Sequence, residues 1–390
     1  MKVLLFINLV PRKPGAVEYL LASLGRACAA QGDTLTVGLA GEPVPEVAAW
    51  LVEAGVTWHV LEGWDAGEGQ VTPWRFCGPA LRLLRACRPD VAAVHFGNEL
   101  PSLWVSLRAR LGGSGRVKWV WQQDQQIAEP SFLTRHFSRI RLLTLTFAGF
   151  VAVYERGRKS LVSRGISTRR IAVILNGVRD HLRTRPKGWL KAELGIPADA
   201  VLAVTVSSLI RRKRVSYQLA ALAGVRQACP RTHLVVVGEG PERDRLATLA
   251  AALKVTDCVH FLGLRQDTRD ILHEADLLVH SSLAEASVYA IPEALCAGLP
   301  VIVTEAGAAR EQVEDERCGY VLRQNDRAGF VRRWTELAQD AALRERLGRA
   351  ARERWAARYD VEVAARAYHA LYRRLAAGGR AGEATAEAEA

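Results

Sequence analysis

The chain has 390 residues, 49% of them hydrophobic and 24% charged, with a net charge of +12. That length exceeds what one hydrophobic core usually fills, so two domains are expected, and no apolar run is long enough to span a bilayer. Seven cysteines scattered without a CxxC pair argue against a zinc site or a disulfide framework.

The first segment, MKVLLFINLV, runs directly into PRKPG and reads as a strand rather than a secretory leader, which predicts a cytoplasmic protein. In chain order, short apolar runs at KVLLFINL, TLTVGLA, TWHVL, VAAVHF, VKWVW, FVAVY and IAVIL predict seven strands. Amphipathic segments lie between several of them. In AVEYLLASLGRACAAQG the apolar residues Val17, Leu20, Leu21, Leu24 and Cys28 recur at helical spacing. The stretch NGVRDHLRTRPKGWLKAELGIPADA breaks the alternation with glycines, prolines and polar residues. A second series, AVLAVTVSS, HLVVVGEG, CVHFLG, DLLVHSS and PVIVTEAG, then predicts five more strands with helices between. Strands alternating with helices give an α/β fold of two doubly wound sheets. The expected divisions are an N-terminal domain over 1–180, a linker over 181–198, a second domain over 199–358, a closing helix over 359–376 and a disordered tail over 377–390.

In open parallel sheets ligands bind beyond the carboxyl ends of the strands. In the second series those ends carry small or polar residues: Ser207 and Ser208, Gly238 to Glu242 with Gly240 between, Gly263, Ser281 and Ser282, and Thr304 to Gly307. Such residues leave room for a ligand and let backbone amides approach it. In HSSLAEASVYAIPEALCAGLP, Pro292 fits only the first turn of a helix, and Gly298 with Pro300 marks its end. Glu285 then falls in the loop after a strand and Glu293 near the helix start, with free amides between them to hold an anion. Carboxylates bind hydroxyls, and a nucleotide sugar carries hydroxyls on both sides of its phosphates. The run Arg211, Arg212, Lys213, Arg214 supplies positive charge, with Lys213 or Arg212 the expected diphosphate partner. No aromatic residues interleave this run, which argues against nucleic acid.

These residues, in this order, resemble the retaining nucleotide-sugar glycosyltransferases of family 4, which have the GT-B fold. The likeness rests on SSLIRRK, VVVGEGPERDRL, VHFLG and EASVYAIPEALCAGLPVIVTEAGAAREQV in the C-terminal half. In the N-terminal half it rests on KPGAVEYLLASLGRACAAQGDTLTV and VILNGV. It implies two Rossmann-like domains facing across a cleft, with the acceptor on the first and the nucleotide sugar on the second. It implies that Glu285 contacts the transferred sugar, Glu293 the ribose, Lys213 the diphosphate, and amides near Ser287, Val288 and Tyr289 the distal phosphate. The last helix, 360–376, is expected to pack back on the N-terminal domain. Gly15 and Ala16 fall at the N-terminal glycine loop, Ala16 where the second glycine usually stands. Ser208 occupies the place of a usual arginine, so Arg211 or Arg212 would compensate. Gln123, in WVWQQDQQ, stands where a histidine is often found, and His95 also faces the cleft on this reading.

The sequence therefore predicts an enzyme that moves a sugar from a UDP- or GDP-linked donor to a glycan, lipid-linked or small-molecule hydroxyl, with no cofactor and no bound metal. A sugar-nucleotide epimerase of the same fold and a noncatalytic nucleotide-sugar-binding scaffold are the rival readings. A dinucleotide-dependent dehydrogenase is disfavoured because Arg243 stands where a third glycine belongs. Residues 131–179 carry ten Lys and Arg and only Glu155 as an acid. In SFLTRHFSRIRLL, Leu133, Phe137 and Ile140 alternate with Arg135 and Arg139, which predicts peripheral contact with an anionic membrane or acceptor.

Overall fold

The computed structural model describes residues 1–13, 15–63, 75–95, 99–113, 115–123, 139–285 and 287–383. It divides into two units, Met1–Arg179 with Asp360–Ala390, and Asp180–Tyr359.

The first unit is built on strands β1 (Lys2–Ile7), β2 (Thr34–Leu39), β3 (Val56–Val60), β4 (Val91–His95), β5 (Lys118–Gln123), β6 (Phe147–Ala152) and β7 (Ile171–Val173). They form one parallel sheet in the order β3-β2-β1-β4-β5-β6-β7. In β1, Val3, Leu5 and Ile7 pack on one face with Leu21 and Leu24 of the Ala16–Ala29 helix. Leu4 and Phe6 pack on the other with Trp119, Phe147 and Phe150. A strand covered on both sides has no polar face, which is why KVLLFI reads as an unbroken apolar run.

Helix Val361–Ala376 packs against helix Ala16–Ala29 and belongs to this first unit. Tyr368, Leu371 and Tyr372 enter the core, and Tyr368 donates to Gln122 Oε1 at 2.6 Å. At its start, Glu362 accepts from Ser23 Oγ and Arg26 Nη2, each at 2.8 Å. The expected tail, 377–390, is corrected in part: Ala381 is fully buried and begins a turn over Ala381–Glu383. The glycine at 149 makes this possible, since a Cβ there would lie 3.1 Å from that of Ala381. Residues 384–390 lie outside the described residues.

The second unit carries β8 (Val201–Val206), β9 (Thr232–Val237), β10 (Val259–Gly263), β11 (Leu277–His280), β12 (Val301–Thr304) and β13 (Gly319–Leu322), in the order β10-β9-β8-β11-β12-β13. The sequence reading missed β13, a four-residue edge strand opened by a glycine. The stretch 181–198, expected as a linker, is instead tied to helix Thr268–Glu274. Thr184 N and Gly188 N donate to Asp270 and Glu274 at 2.8 and 2.6 Å, and Arg183 pairs with Glu274 at 3.1 Å. Both carboxylates are buried, so each needs such partners.

Most of SFLTRHFSRIRLL, including Leu133, Arg135 and Phe137, lies outside the described residues, as does the side chain of Arg139. Ile140, assigned there to an outward apolar side, is a core residue. No helix among the described residues is long and apolar enough to cross a membrane.

Candidate functional site

Strand β8 lies between β9 and β11, so the sheet of the second unit reverses its winding there. Loops at such a reversal diverge to opposite faces and leave a crevice at the carboxyl edge. The basic turn Arg211–Lys213 follows β8, and the loop bearing Glu285 follows β11. Neighbouring strands thus bring together residues 72 positions apart. The serines at the end of β11 fix the turn: Ser281 Oγ donates to Arg214 O at 2.8 Å and Ser282 Oγ to Arg212 O at 3.2 Å. Leu283 N also donates to Arg212 O, at 2.9 Å. Both serines are fully buried, which corrects the expectation that they leave space for a ligand. Their hydroxyls are spent holding the cations in place.

Lys213 Nζ donates to Glu285 Oε1 at 2.5 Å, and Arg212 Nη1 donates to Glu285 Oε2 at 3.2 Å and to Ala284 O at 2.5 Å. His280 Nε2 stands 3.8 Å from the same Oε1. Glu285 is only 5% exposed. Burial pushes its carboxyl up, but the polar side chains of His280, Lys213 and Ser282 beside it, with the Lys213 charge, outweigh this and lower it to about 2. Glu285 is therefore an ionised acceptor at neutral pH and holds no proton to donate. The cations expected to face a phosphate are, in this arrangement, committed to Glu285.

Beyond Glu285 the chain enters helix Ala290–Cys296. Gln312 organises this loop: its Oε1 accepts from Val288 N at 3.2 Å, and its Nε2 donates to Val288 O at 3.1 Å and to Ser287 Oγ at 3.2 Å. The Val288 amide, expected to meet a phosphate, is thus already bonded to a side chain. Tyr289 is exposed, and Glu293 lies in the first turn of the helix. Glu293 keeps some surface, yet enough protein surrounds it that burial raises its carboxyl above the usual 4.5.

Gly238 and Gly240 have φ of +132° and +157°, and a Cβ on them would meet Ser207 O at 2.0 Å and Leu209 O at 2.4 Å. Close backbone approach requires both glycines whatever the ligand. Ser208, in the neighbouring loop, is exposed.

In the first unit the winding reverses between β1 and β4. Gly15 caps helix Ala16–Ala29 after β1, and Ala16 is the first helical residue. His95 ends β4, but its ring is buried and packs on Tyr368 with centroids 5.8 Å apart. Burial lowers it to about 3, so it is neutral and packed rather than open. Gln123 ends β5 opposite Ala152, and its side chain lies outside the described residues.

Three polar residues escaped the sequence reading. Gln312 sits in a helix of four residues that carries no motif, so nothing marked it. His280 belongs to an apolar strand where a lone histidine suggests only packing. Glu18, buried in the first turn after Gly15, is pushed up by burial against bonds from the amides of its own residue and Gly15. An acid one turn into a helix after a glycine loop was its only signal. Among the described residues no three His, Cys, Asp or Glu side chains gather so as to hold a metal ion.

Two family models match the chain in succession, Glycosyltransferase Family 4 over residues 17–182 and Glycosyl transferases group 1 over 189–354. The lipopolysaccharide core biosynthesis glycosyltransferase LpsE of Rhizobium meliloti is 31% identical over 178 residues, 46% of this chain and 51% of that protein. The D-inositol 3-phosphate glycosyltransferase of Streptomyces avermitilis is 33% identical over 196 residues, 47% of this chain and 42% of that protein. The chain spans about half the length of the curated relatives it matches. Among solved structures, Anabaena Alr3699/HepE in complex with UDP superposes with a TM-score of 0.76 at 21% identity, covering 97% of this chain and all of that one. A glycosyltransferase from Rickettsia africae gives 0.78 at 16% identity, covering 96% and 98%. With two doubly wound sheets, a site at the winding reversal and both family models matched in order, this chain belongs to the family 4 glycosyltransferases of the GT-B fold.

Proposed function

We propose that the protein transfers a glycosyl group from a nucleoside-diphosphate donor to an acceptor hydroxyl with retention at the anomeric carbon. The bond from that carbon to the diphosphate oxygen breaks, and a bond to the acceptor oxygen forms. The hydroxyl proton leaves with the nucleoside diphosphate. The observation that carries this reading is the convergence of Lys213, Arg212 and the ionised Glu285 at the reversal between β8 and β11. Charge grows on the leaving diphosphate as the bond breaks, so fixed cations favour the transition state over the ground state. Glu285, an acceptor without a proton, suits a sugar hydroxyl, and Glu293 suits the ribose. An epimerase would need proton-transferring groups on the sugar, which an ionised Glu285 and a packed His95 do not offer.

The HepE complexes with UDP and UDP-glucose support a uridine donor, with a GDP-linked one as the alternative. Relatives named for lipopolysaccharide core synthesis support an envelope glycan or lipid-linked acceptor. The test is thermal stabilisation by UDP-, GDP- and ADP-sugars followed by turnover of the best binder. Saturation at ~100 times Kd stabilises by roughly 2.7 kcal/mol. Absence of stabilisation by every one would sink the reading.

A second observation supports peripheral contact with an anionic membrane at its inner face. Trp104, Leu107 and Leu111 lie along one side of helix Glu99–Leu111, with Leu111 82% exposed, and Leu145 nearby is 60% exposed. Arg110 Nη1 donates to Leu145 O at 2.9 Å, joining the two segments, and Arg108 and Arg141 add charge. Apolar side chains ringed by arginines match a lipid surface. Cosedimentation with phosphatidylglycerol vesicles but not with phosphatidylcholine vesicles is expected; equal binding to both, or none, removes this contact.

A further inference from the structure

His280 closes β11, is 2% exposed, and neither ring nitrogen has a hydrogen-bond partner among the described residues. A buried imidazole normally has at least one nitrogen bonded, because leaving both bare forfeits the hydration each had in the unfolded chain. Its Nε2 stands 3.8 Å from Glu285 Oε1. That oxygen is already taken by Lys213 Nζ at 2.5 Å, while Arg212 holds the other, Oε2, at 3.2 Å. Lys213 and the imidazole therefore both approach one oxygen, and only the lysine is bonded to it.

Donor binding changes this balance. A diphosphate entering the site draws Lys213 away, since Lys213 is the partially buried cation of the turn. Glu285 would then be a buried carboxylate stripped of its closest partner, and a bare buried carboxylate gains a proton or shifts. Movement of about 1 Å brings the ring nitrogen within hydrogen-bond distance of Oε1. Burial keeps the ring neutral, so one nitrogen carries a hydrogen, and on Nε2 it points at the carboxylate.

We propose that His280 is a positioning residue, the standby donor to Glu285 Oε1 that replaces Lys213 when the diphosphate takes the lysine. Its partner exchange keeps Glu285 ionised and aimed at the transferred sugar. This rests on the glycosyl-transfer reading of the site.

The test is a double-mutant cycle on nucleotide binding, with UDP, GDP and ADP each titrated calorimetrically against the parent, His280→Leu, Glu285→Gln and the double variant. Circular dichroism melts establish that each variant folds. With the nucleotide the parent binds, His280→Leu is expected to weaken affinity about fivefold to tenfold, because releasing Lys213 then leaves Glu285 Oε1 without a donor. In the Glu285→Gln background the same change is expected to alter affinity less than twofold, since no charge is left to satisfy. His280→Gln, which keeps a donor near the Nε2 position, is expected to restore most of the loss. Equal losses in both backgrounds, or no loss in either, would overturn the exchange while nucleotide binding by the parent upholds the broader reading. A parent that binds none of the three nucleotides would overturn both.

Discussion

Lys213 Nζ lies 2.5 Å from Glu285 Oε1, so the cation proposed for the leaving diphosphate is bonded to the carboxylate proposed for the sugar. Neither charge is left bare in a crevice where both are partly or fully buried. A ligand presenting phosphate to one and hydroxyl to the other can separate them without loss, whereas phosphate or sugar alone satisfies only half the pair.

Removing the cation is expected to impair the chemical step. Lys213→Ala should lower kcat/KM by about tenfold to a hundredfold, the equivalent of roughly 1.5–3 kcal/mol for a lost charged hydrogen bond. Arg212→Ala should lower it less, since Arg212 is more exposed and its Glu285 contact is longer. On the proposed reading side chains, not a metal ion, neutralise the diphosphate, so turnover in excess chelator should match turnover with added magnesium. Activity abolished by chelator and restored by the ion would overturn this account.

The Glu285 carboxyl, lowered from 4.5 to about 2, links stability to pH. A group depressed in the folded state stabilises above its unfolded value, and that stability is lost as pH falls toward the folded value. Between pH 6 and pH 3 its contribution should fall by roughly 2 kcal/mol. Denaturant titrations of the parent and Glu285→Gln across that range isolate this group. The stability gap between them should shrink as the solution is acidified, and a constant gap would show that Glu285 is not so held.

Glu293 should behave in the opposite sense. Burial raises it, so the folded state holds its proton more tightly than the unfolded chain, and stability is lost as pH rises through 4.5 and upward. Glu293→Gln is therefore expected to melt at or above the parent temperature at pH 7, while donor KM rises about tenfold for one lost hydroxyl contact of ~1.4 kcal/mol. A variant that melts lower and binds donor normally would mark Glu293 as structural.

Gly240→Ala and Gly238→Ala test whether these glycines serve the backbone. The added Cβ meets a carbonyl oxygen at 2.4 or 2.0 Å, at a φ that L residues rarely adopt. Each should cost at least about 2–3 kcal/mol and lower the melting temperature even with no ligand present. Unchanged melting with weakened donor binding would instead favour a direct role in binding.

The parallel sheets and the polar edge of the second one are legible in the residues alone. Apolar runs such as KVLLFI and VLAVTV follow from strands covered on both faces, a local pattern that needs no knowledge of the partner strand. Pro292 in the helix Ala290–Cys296 and Gly298 with φ of +72° after it were legible for the same reason, since each acts on its own backbone. What these residues touch is set by the folded arrangement of the strands. The approach of Lys213 to Glu285 depends on β8 and β11 being neighbours, and that pairing is non-local. The demand for glycine at 238 and 240 comes from the carbonyls of a different loop, Ser207 and Leu209. His280 and Gln312 gain their meaning from side chains at other positions, Glu285 for one and the Ser287–Val288 loop for the other. Backbone preference is written residue by residue, whereas partnership is fixed by strand order, which the chain specifies only as a whole.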